Sequence, residues 1–434
     1  MKLYLLFIVT IAFVLVSNLL VAQTQIGGFV EYDNITYFNI YDEEKINARN
    51  QGILQLELSH SININADVFG SVEIREDQAD QNRSRIYPRE AYINLYFGDF
   101  DFRIGKQVYA WGRADGFNPT DNLTVWDYSD VLDIEGEEIG QISALVQYYT
   151  GNWIFEAALV PSFTESVLPD QASRWWPEFP GTIPNPAYPE QGPEFVPAQY
   201  TFNDPDLPDE GHESTQYALR VSYMYRGWDF SLSWFDGYND LPAFYNTPQF
   251  NTSFTRAEVV IDPVYYRWRA IGGDFATTFG GFGVRGEAAY FITENWDGTD
   301  PAIDTPYLQY VLGMDYTFRN VIAGNDLFLI LEWAHDYQIP DRDVTIDVMN
   351  LNRIFRKSIL SRAELSLGDF AALTLTGVMN FETDDWWLQP GIEWSVTDGV
   401  ELDARVDLLG GPDDSLFGMF DDNKRVQFRA KYSF

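Results

Sequence analysis

The chain has 434 residues, no cysteine, and 28 Lys+Arg against 65 Asp+Glu, a formal charge of −37. Without thiols it has no disulfide framework and no thiolate metal or redox site. Phosphate would repel so acidic a chain, so nucleic acid is not an expected partner.

Met1-Lys2 is a short positive start, Leu3 to Val16 is almost wholly apolar, and Leu20-Val21-Ala22 precedes a plausible cut before Gln23. This is the pattern of a secretory signal peptide over 1–22. A spanning helix is the alternative, but no charged stop-transfer segment follows. After Ala22 no apolar run approaches the roughly 20 residues a membrane helix needs. Aromatic content is nevertheless 16%, an excess that girdles at two membrane interfaces would explain.

Amphipathic segments then recur near 25–38, 52–62, 66–76, 88–97, 100–109, 139–149, 152–161, 215–225, 228–238, 265–279, 282–292, 307–318, 326–336, 353–367, 370–381, 386–396, 399–409 and 424–434. Each alternates polar and apolar residues, the period of a strand with two unlike faces. Short connections such as Gly98-Asp99, Thr150-Gly151, Arg226-Gly227 and Gly368-Asp369 alternate with long ones such as 110–138, 162–214 and 239–264. The expectation is an all-β chain, a single transmembrane antiparallel β-barrel over 23–434 of about 18 strands (16–18), with short periplasmic turns and long extracellular loops. A soluble propeller or solenoid would show a repeat of fixed period, and none is visible. No linker precedes the first strand, so an amino-terminal plug domain is not expected. The last strand ends on Phe434, which resembles the signal read by the barrel-assembly machinery of outer membranes.

Alternation assigns faces. Val426, Phe428, Ala430 and Tyr432 point to lipid, and Arg425, Gln427 and Arg429 point inward. The same parity is expected to place Arg103, Gln107, Tyr109, Arg220, Arg267, Arg269, Arg285, Glu287, Arg362, Glu364 and Arg405 on the lumen side, because a charge facing the bilayer midplane costs roughly 2–4 kcal/mol. Two readings remain open for the lumen arginines. They pair with carboxylates across strands and hold a hydrated wall, or they stay unpaired and form a ladder for anions.

The acids of loops 110–138 and 162–214 are expected to be solvated, bridged to neighbouring lipopolysaccharide, with Ca²⁺ as a candidate ion because carboxylate oxygens suit it. Loop 162–214 is rich in Pro and aromatics, and part of it is expected either to fold into the mouth or to cap it.

Residues 103–121 contain Gly105-x-Gln107-x-x-x-Trp111-Gly112-x-x-Asp115-x-x-x-Pro119-x-Asp121. This motif resembles a family of porin-like outer-membrane barrels, itself similar to alginate-export and substrate-selective porins. The resemblance implies a barrel and solute passage; it transfers no substrate. Gly105, Trp111, Gly112 and Pro119 are expected to anchor the loop. Arg113, Asp115 and Asp121 are expected either to pin it through charge-assisted hydrogen bonds or to touch solute.

The functional expectation is a passive channel, without cofactor or catalytic centre, for small hydrophilic and possibly charged solutes in the outer membrane of a Gram-negative bacterium. A binding or adhesion barrel with a blocked lumen is the alternative. A membrane-embedded hydrolase would have to use His60, His212 or His335. Homo-oligomerisation is compatible with the long loops.

Overall fold

The computed structural model describes residues 24–39, 47–80, 82–132, 137–209, 211–339 and 351–434. The expected signal peptide, Asp133, Glu135 and Glu210 lie outside them. Eighteen strands form one closed antiparallel sheet. They are β1 Thr24–Tyr37, β2 Ala48–Asn63, β3 Ala66–Asp77, β4 Arg85–Phe97, β5 Phe100–Gln107, β6 Gln141–Thr150, β7 Trp153–Val160, β8 Gln216–Tyr225, β9 Trp228–Tyr238, β10 Arg267–Phe279, β11 Phe282–Ile292, β12 Tyr307–Ile322, β13 Asn325–Gln338, β14 Ser358–Leu367, β15 Ala371–Asn380, β16 Asp385–Thr397, β17 Val400–Gly410 and β18 Arg425–Ser433. Each pairs with its sequence neighbours, and β18 closes onto β1 with Phe29 opposite Ser433 and Tyr37 opposite Arg425. Phe434 completes the seam, its N–H donating to the Gly28 carbonyl at 3.0 Å. Closure satisfies every edge, which is what lets a sheet stand in lipid.

The turns at one end are tight. Gly98, Gly151, Gly227, Gly368 and Gly399 take positive φ there, a conformation glycine adopts without a Cβ penalty. The stretch 319–325, between the amphipathic segments 307–318 and 326–336, is not a loop. It is strand closed by a tight Ala323-Gly324 turn, with an irregularity between Phe318 and Ile322.

The outer face carries exposed Leu56, Ile104, Leu159, Leu219, Leu232, Ile271, Leu312, Leu331, Leu373 and Phe428. So continuous an apolar belt marks a lipid-facing surface. Near the tight turns the outward rings touch from strand to strand: Phe100 with Tyr148 at 4.5 Å, Trp153 with Tyr223 at 4.3 Å, and Phe282 with Tyr316 at 4.3 Å. These contacts are the girdle at the periplasmic interface.

Outside the barrel, Thr182–Pro184, Phe195–Phe202, Ala243–Phe250 and Ala257–Val264 form a separate four-stranded sheet. Loops 162–214 and 239–264 thus fold on each other as an extracellular cap. The remaining part of the first loop, around Arg174 and Trp175, crosses the mouth to the β1–β18 side. There Trp175 meets the Phe420 ring at 5.3 Å.

Candidate functional site: an inward-folded loop tied to the barrel wall

The extracellular half of the barrel is filled by the chain that leaves β5. Two apolar clusters hold it. Tyr109, Trp111 and Leu123 pack against Ala158, Ala218, Trp268, Ala270 and Phe291 of one wall. Phe117 and Leu132 pack against Val311, Ala334, Leu360 and Leu409 of the other. Burial of this apolar surface draws the loop inward. The segment that enters the barrel is therefore 109–132, the motif loop; 162–214 mainly caps.

Polar anchoring then fixes its position. Glu287 of β11 accepts the backbone N–H groups of Arg113 and Ala114, the latter at 2.7 Å, and the Thr120 hydroxyl at 2.8 Å. Glu332 of β13 accepts the N–H groups of Asp115 at 2.8 Å and Gly116 at 2.9 Å. Two wall carboxylates thus bind successive amides of one turn, a geometry in which charge strengthens each hydrogen bond. Gly112 has φ of +101°, and a Cβ there would stand 2.8 and 2.9 Å from the two Glu287 carboxylate oxygens. The positive φ strains any other residue there, and the wall acid beside it would also have to shift.

Within the loop, Asp121 accepts the N–H groups of Leu123 at 3.3 Å and Thr124 at 3.2 Å, and the Thr124 hydroxyl at 2.8 Å. The same hydroxyl lies 2.7 Å from the Tyr109 carbonyl, so its single proton is shared between the two oxygens. Burial pushes the Asp121 carboxyl up to about 6. Asp121 therefore closes the loop on itself, as an anchor, and Pro119 beside it is buried. Trp111 is buried under the Arg220 guanidinium, which stands 5.7 Å from its ring. Gln107 donates to the Ser143 carbonyl at 3.3 Å, and the Tyr109 hydroxyl bonds Ser143 Oγ at 2.8 Å. Gly105 lies against Ala91 and Tyr92 of β4, where a Cβ would clash.

The lumen arginines are paired. Arg113 reaches Asp274 at 2.6 Å, and Arg220 reaches the other oxygen of Asp274 at 3.1 Å. Arg285 joins Asp115 and Asp315. Arg405 meets Asp403 at 2.6 Å, Arg429 meets Glu31 at 3.5 Å, and Arg362 lies between Glu364 and Glu393. Arg103 donates to Asn94 at 2.9 Å and stacks on Tyr92. Arg103 apart, these arginines meet carboxylates, some on their own strand and some across the barrel, so they do not form an unpaired ladder.

Arg267 and Arg269 depart from expectation. The register of β10 with β9 is unbroken, and Trp268, Ala270 and Asp274 point inward, so Arg267 and Arg269 face outward. Both pair with Asp236, at 2.6 and 2.7 Å. They stand at the extracellular end of β10, where the cost of an outward charge falls to roughly 0–1 kcal/mol. Parity has to be counted from the apolar neighbours; assuming that every charge points inward fails at the rim.

The loop acids depart too. Asp127 and Asp130 are buried. Asp127 meets Arg85 at 3.1 Å, and Asp130 is shared by Arg49 at 3.2 Å and Arg425. Arg425 also meets Asp407 at 2.6 Å, and its guanidinium lies 5.4 Å from the Trp175 ring. Sequence reading gave no role to Asp274, Glu332 or Arg83. The available signal was an inward acid or base on an otherwise apolar half-strand, which demands a partner once loops exclude water. Among the described residues no group of three or more acidic or histidine side chains is placed to hold a metal ion.

The barrel with an inward-folded loop defines a membrane-spanning barrel of porin-like architecture. No family model matches the chain, and no curated protein matches it. Among solved structures it is similar to an engineered porin of Rh. blastica, with 9% identity over 95% of this chain and 100% of that one, at a TM-score of 0.44. It is also similar to a loop-deleted form of OmpT, an outer membrane protein of Vibrio cholerae, with 11% identity over 95% and 99% of the two chains, at a TM-score of 0.43. Likenesses this remote carry no functional argument, and the class rests on the closed ladder and its apolar belt.

Proposed function

We propose that the protein is a passive outer-membrane channel for small hydrophilic solutes, charged ones among them, in which segment 109–132 sets the constriction. The observation that carries this reading is the anchoring of that segment on Glu287 and Glu332. A loop held inside a barrel by wall carboxylates narrows an aqueous path while leaving the strand ladder untouched. Arg113 and Asp115 lie on the less buried side of the loop, and Arg285 joins Asp115 to the wall. A solute arriving from the periplasmic vestibule meets these mixed charges first.

The reading is non-catalytic. His60 lies near the tight-turn end of β2, His335 near the opposite end of β13, and His212 in the extracellular loop, so they do not share a site. Export by residues 1–22, assembly through Phe434, lipopolysaccharide contact, Ca²⁺ at exposed loop acids and homo-oligomerisation belong to the same proposal, as does a Gram-negative outer membrane as its location.

A second reading has one observation in its favour. Inward residues of the extracellular half are buried on nearly every strand, from Ile35 and Gln51 to Leu409 and Gln427. A barrel this filled suits a surface-binding protein. Recording in planar bilayers separates the two. Discrete conductance steps that grow when the Glu287 and Glu332 anchors are removed support the channel. Silence in both proteins would leave the binding barrel.

A further inference from the structure

At the extracellular mouth, where β1 and β2 meet the segments after β3 and β5, a cavity of about 220 Å³ is lined by Tyr37, Arg49, Arg83, Ser129, Arg174 and Trp175 among others. We propose that this cavity is a binding site for the anionic group, carboxylate or phosphate, of a small solute, with Arg83 as its principal donor. It is separate from the Glu287–Glu332 constriction and stands whether or not the lumen conducts.

Arg83 carries the inference. Only 4% of it is exposed, yet its Nε and Nη1 have no hydrogen-bond partner among the described residues. The three carboxylates near it are each closer to another arginine. Asp77 is 2.6 Å from Arg49 and 3.5 Å from Arg83. Asp127 is 3.1 Å from Arg85 and 3.8 Å from Arg83. Glu137 is 2.8 Å from Arg75 and 3.1 Å from Arg83. Burial, and then the Arg49 guanidinium beside it, hold Arg83 below the ordinary arginine range. A buried cation with under-used donors is costly unless something satisfies it, and a planar guanidinium matches carboxylate and phosphate oxygens.

A second donor points the same way. Trp175 Nε1 is buried and also lacks a hydrogen-bond partner among the described residues. Arg174, whose guanidinium lies 4.2 Å from the Tyr37 ring, adds positive charge to the same wall. Size and charge limit the ligand. The cavity is smaller than the roughly 300–1,000 Å³ of drug-sized pockets. Asp80 and Asp170 also line it, so a polyanion is disfavoured and a single anionic group fits.

The test uses the full chain in detergent, titrated with inorganic phosphate and with acetate at constant ionic strength, read by calorimetry and by tryptophan fluorescence. Saturable binding of either anion at millimolar concentration, with chloride silent, is expected. Phosphate alone would assign a phosphoryl group, and acetate alone a carboxylate. Arg83→Gln should weaken binding roughly tenfold or more, the loss of a charged hydrogen-bond donor. Arg319→Gln, an equal change of charge on the periplasmic side, should leave it unchanged. Should Arg83→Gln fail to fold, Ala79→Trp narrows the cavity without removing a charge and must also abolish binding. The proposal is overturned if neither anion binds saturably, or if Arg83→Gln or Ala79→Trp binds as the parent does.

Discussion

Removing Glu287 should release the inward loop while sparing the barrel. In Glu287→Ala the Ala114 N–H and the Thr120 hydroxyl lose acceptors at 2.7 and 2.8 Å, and the Arg113 N–H loses its acceptor as well. Hydrogen bonds to a charged acceptor contribute about 1.5–3 kcal/mol each. They are not additive, and the substitution also removes a buried negative charge next to Asp274. The net loss is therefore about 3–5 kcal/mol, or roughly a hundredfold to a few thousandfold in the loop's docked-to-released ratio. Glu287→Gln keeps one acceptor oxygen and should lose about half of that. Adding Glu332→Ala removes the acceptors of the Asp115 and Gly116 N–H groups and should deepen the effect. The measurement is the rate of limited proteolysis within 110–132 together with single-channel conductance; gel heat-modifiability confirms an intact barrel. Strand hydrogen bonds are made by backbone, so the barrel should survive. Equal proteolysis and equal conductance in the double variant, with the barrel intact, would refute the idea that these carboxylates hold the loop.

Gly112→Ala should mimic that release, because the new Cβ meets the Glu287 carboxylate and the backbone strain costs about 1–3 kcal/mol; an unchanged proteolysis rate would count against the close fit. The loop should also respond to pH. Burial holds Asp121 at about 6, against roughly 3.9 when unfolded. A raised folded value favours the protonated form, so loop docking should be strongest near pH 4, weaken as pH rises from about 4 to 6, and level off by about pH 7. Asp121→Asn should flatten much of that slope in proteolysis rates, and an undiminished slope would show that Asp121 does not contribute. Arg425→Ala leaves Asp130 and Asp407 buried without their shared cation and should cost about 3–5 kcal/mol. That loss should appear as a lower unfolding temperature on heat-modifiability gels. In a salt gradient the reversal potential should lie closer to zero than for an unpaired arginine ladder, because the lumen arginines are offset by carboxylates; a strong anion preference would contradict the pairing.

The sequence by itself determined the barrel. Side chains alternate along a strand, lipid tolerates only one of the two faces, and tight turns need residues such as Gly98 and Gly151, so an antiparallel barrel of 16–18 strands was local information, while the exact count was not. The inward faces of Arg405, Arg429 and Arg285 followed from the same parity. The motif around Gly112 and Asp121 was also legible as a loop anchor, without its partners. Only the tertiary structure decided what the loop binds. Glu287 and Glu332 meet Arg113 and Asp115 across 174 and 217 residues of sequence separation, and no periodicity carries such a distance. It likewise decided that Asp127 and Asp130 are buried, since loop charge is solvated or paired according to what packs over it. Arg267 and Arg269 faced out for a related reason: beyond the apolar belt the bilayer no longer penalises charge, so depth overrides polarity as the guide to the inner face.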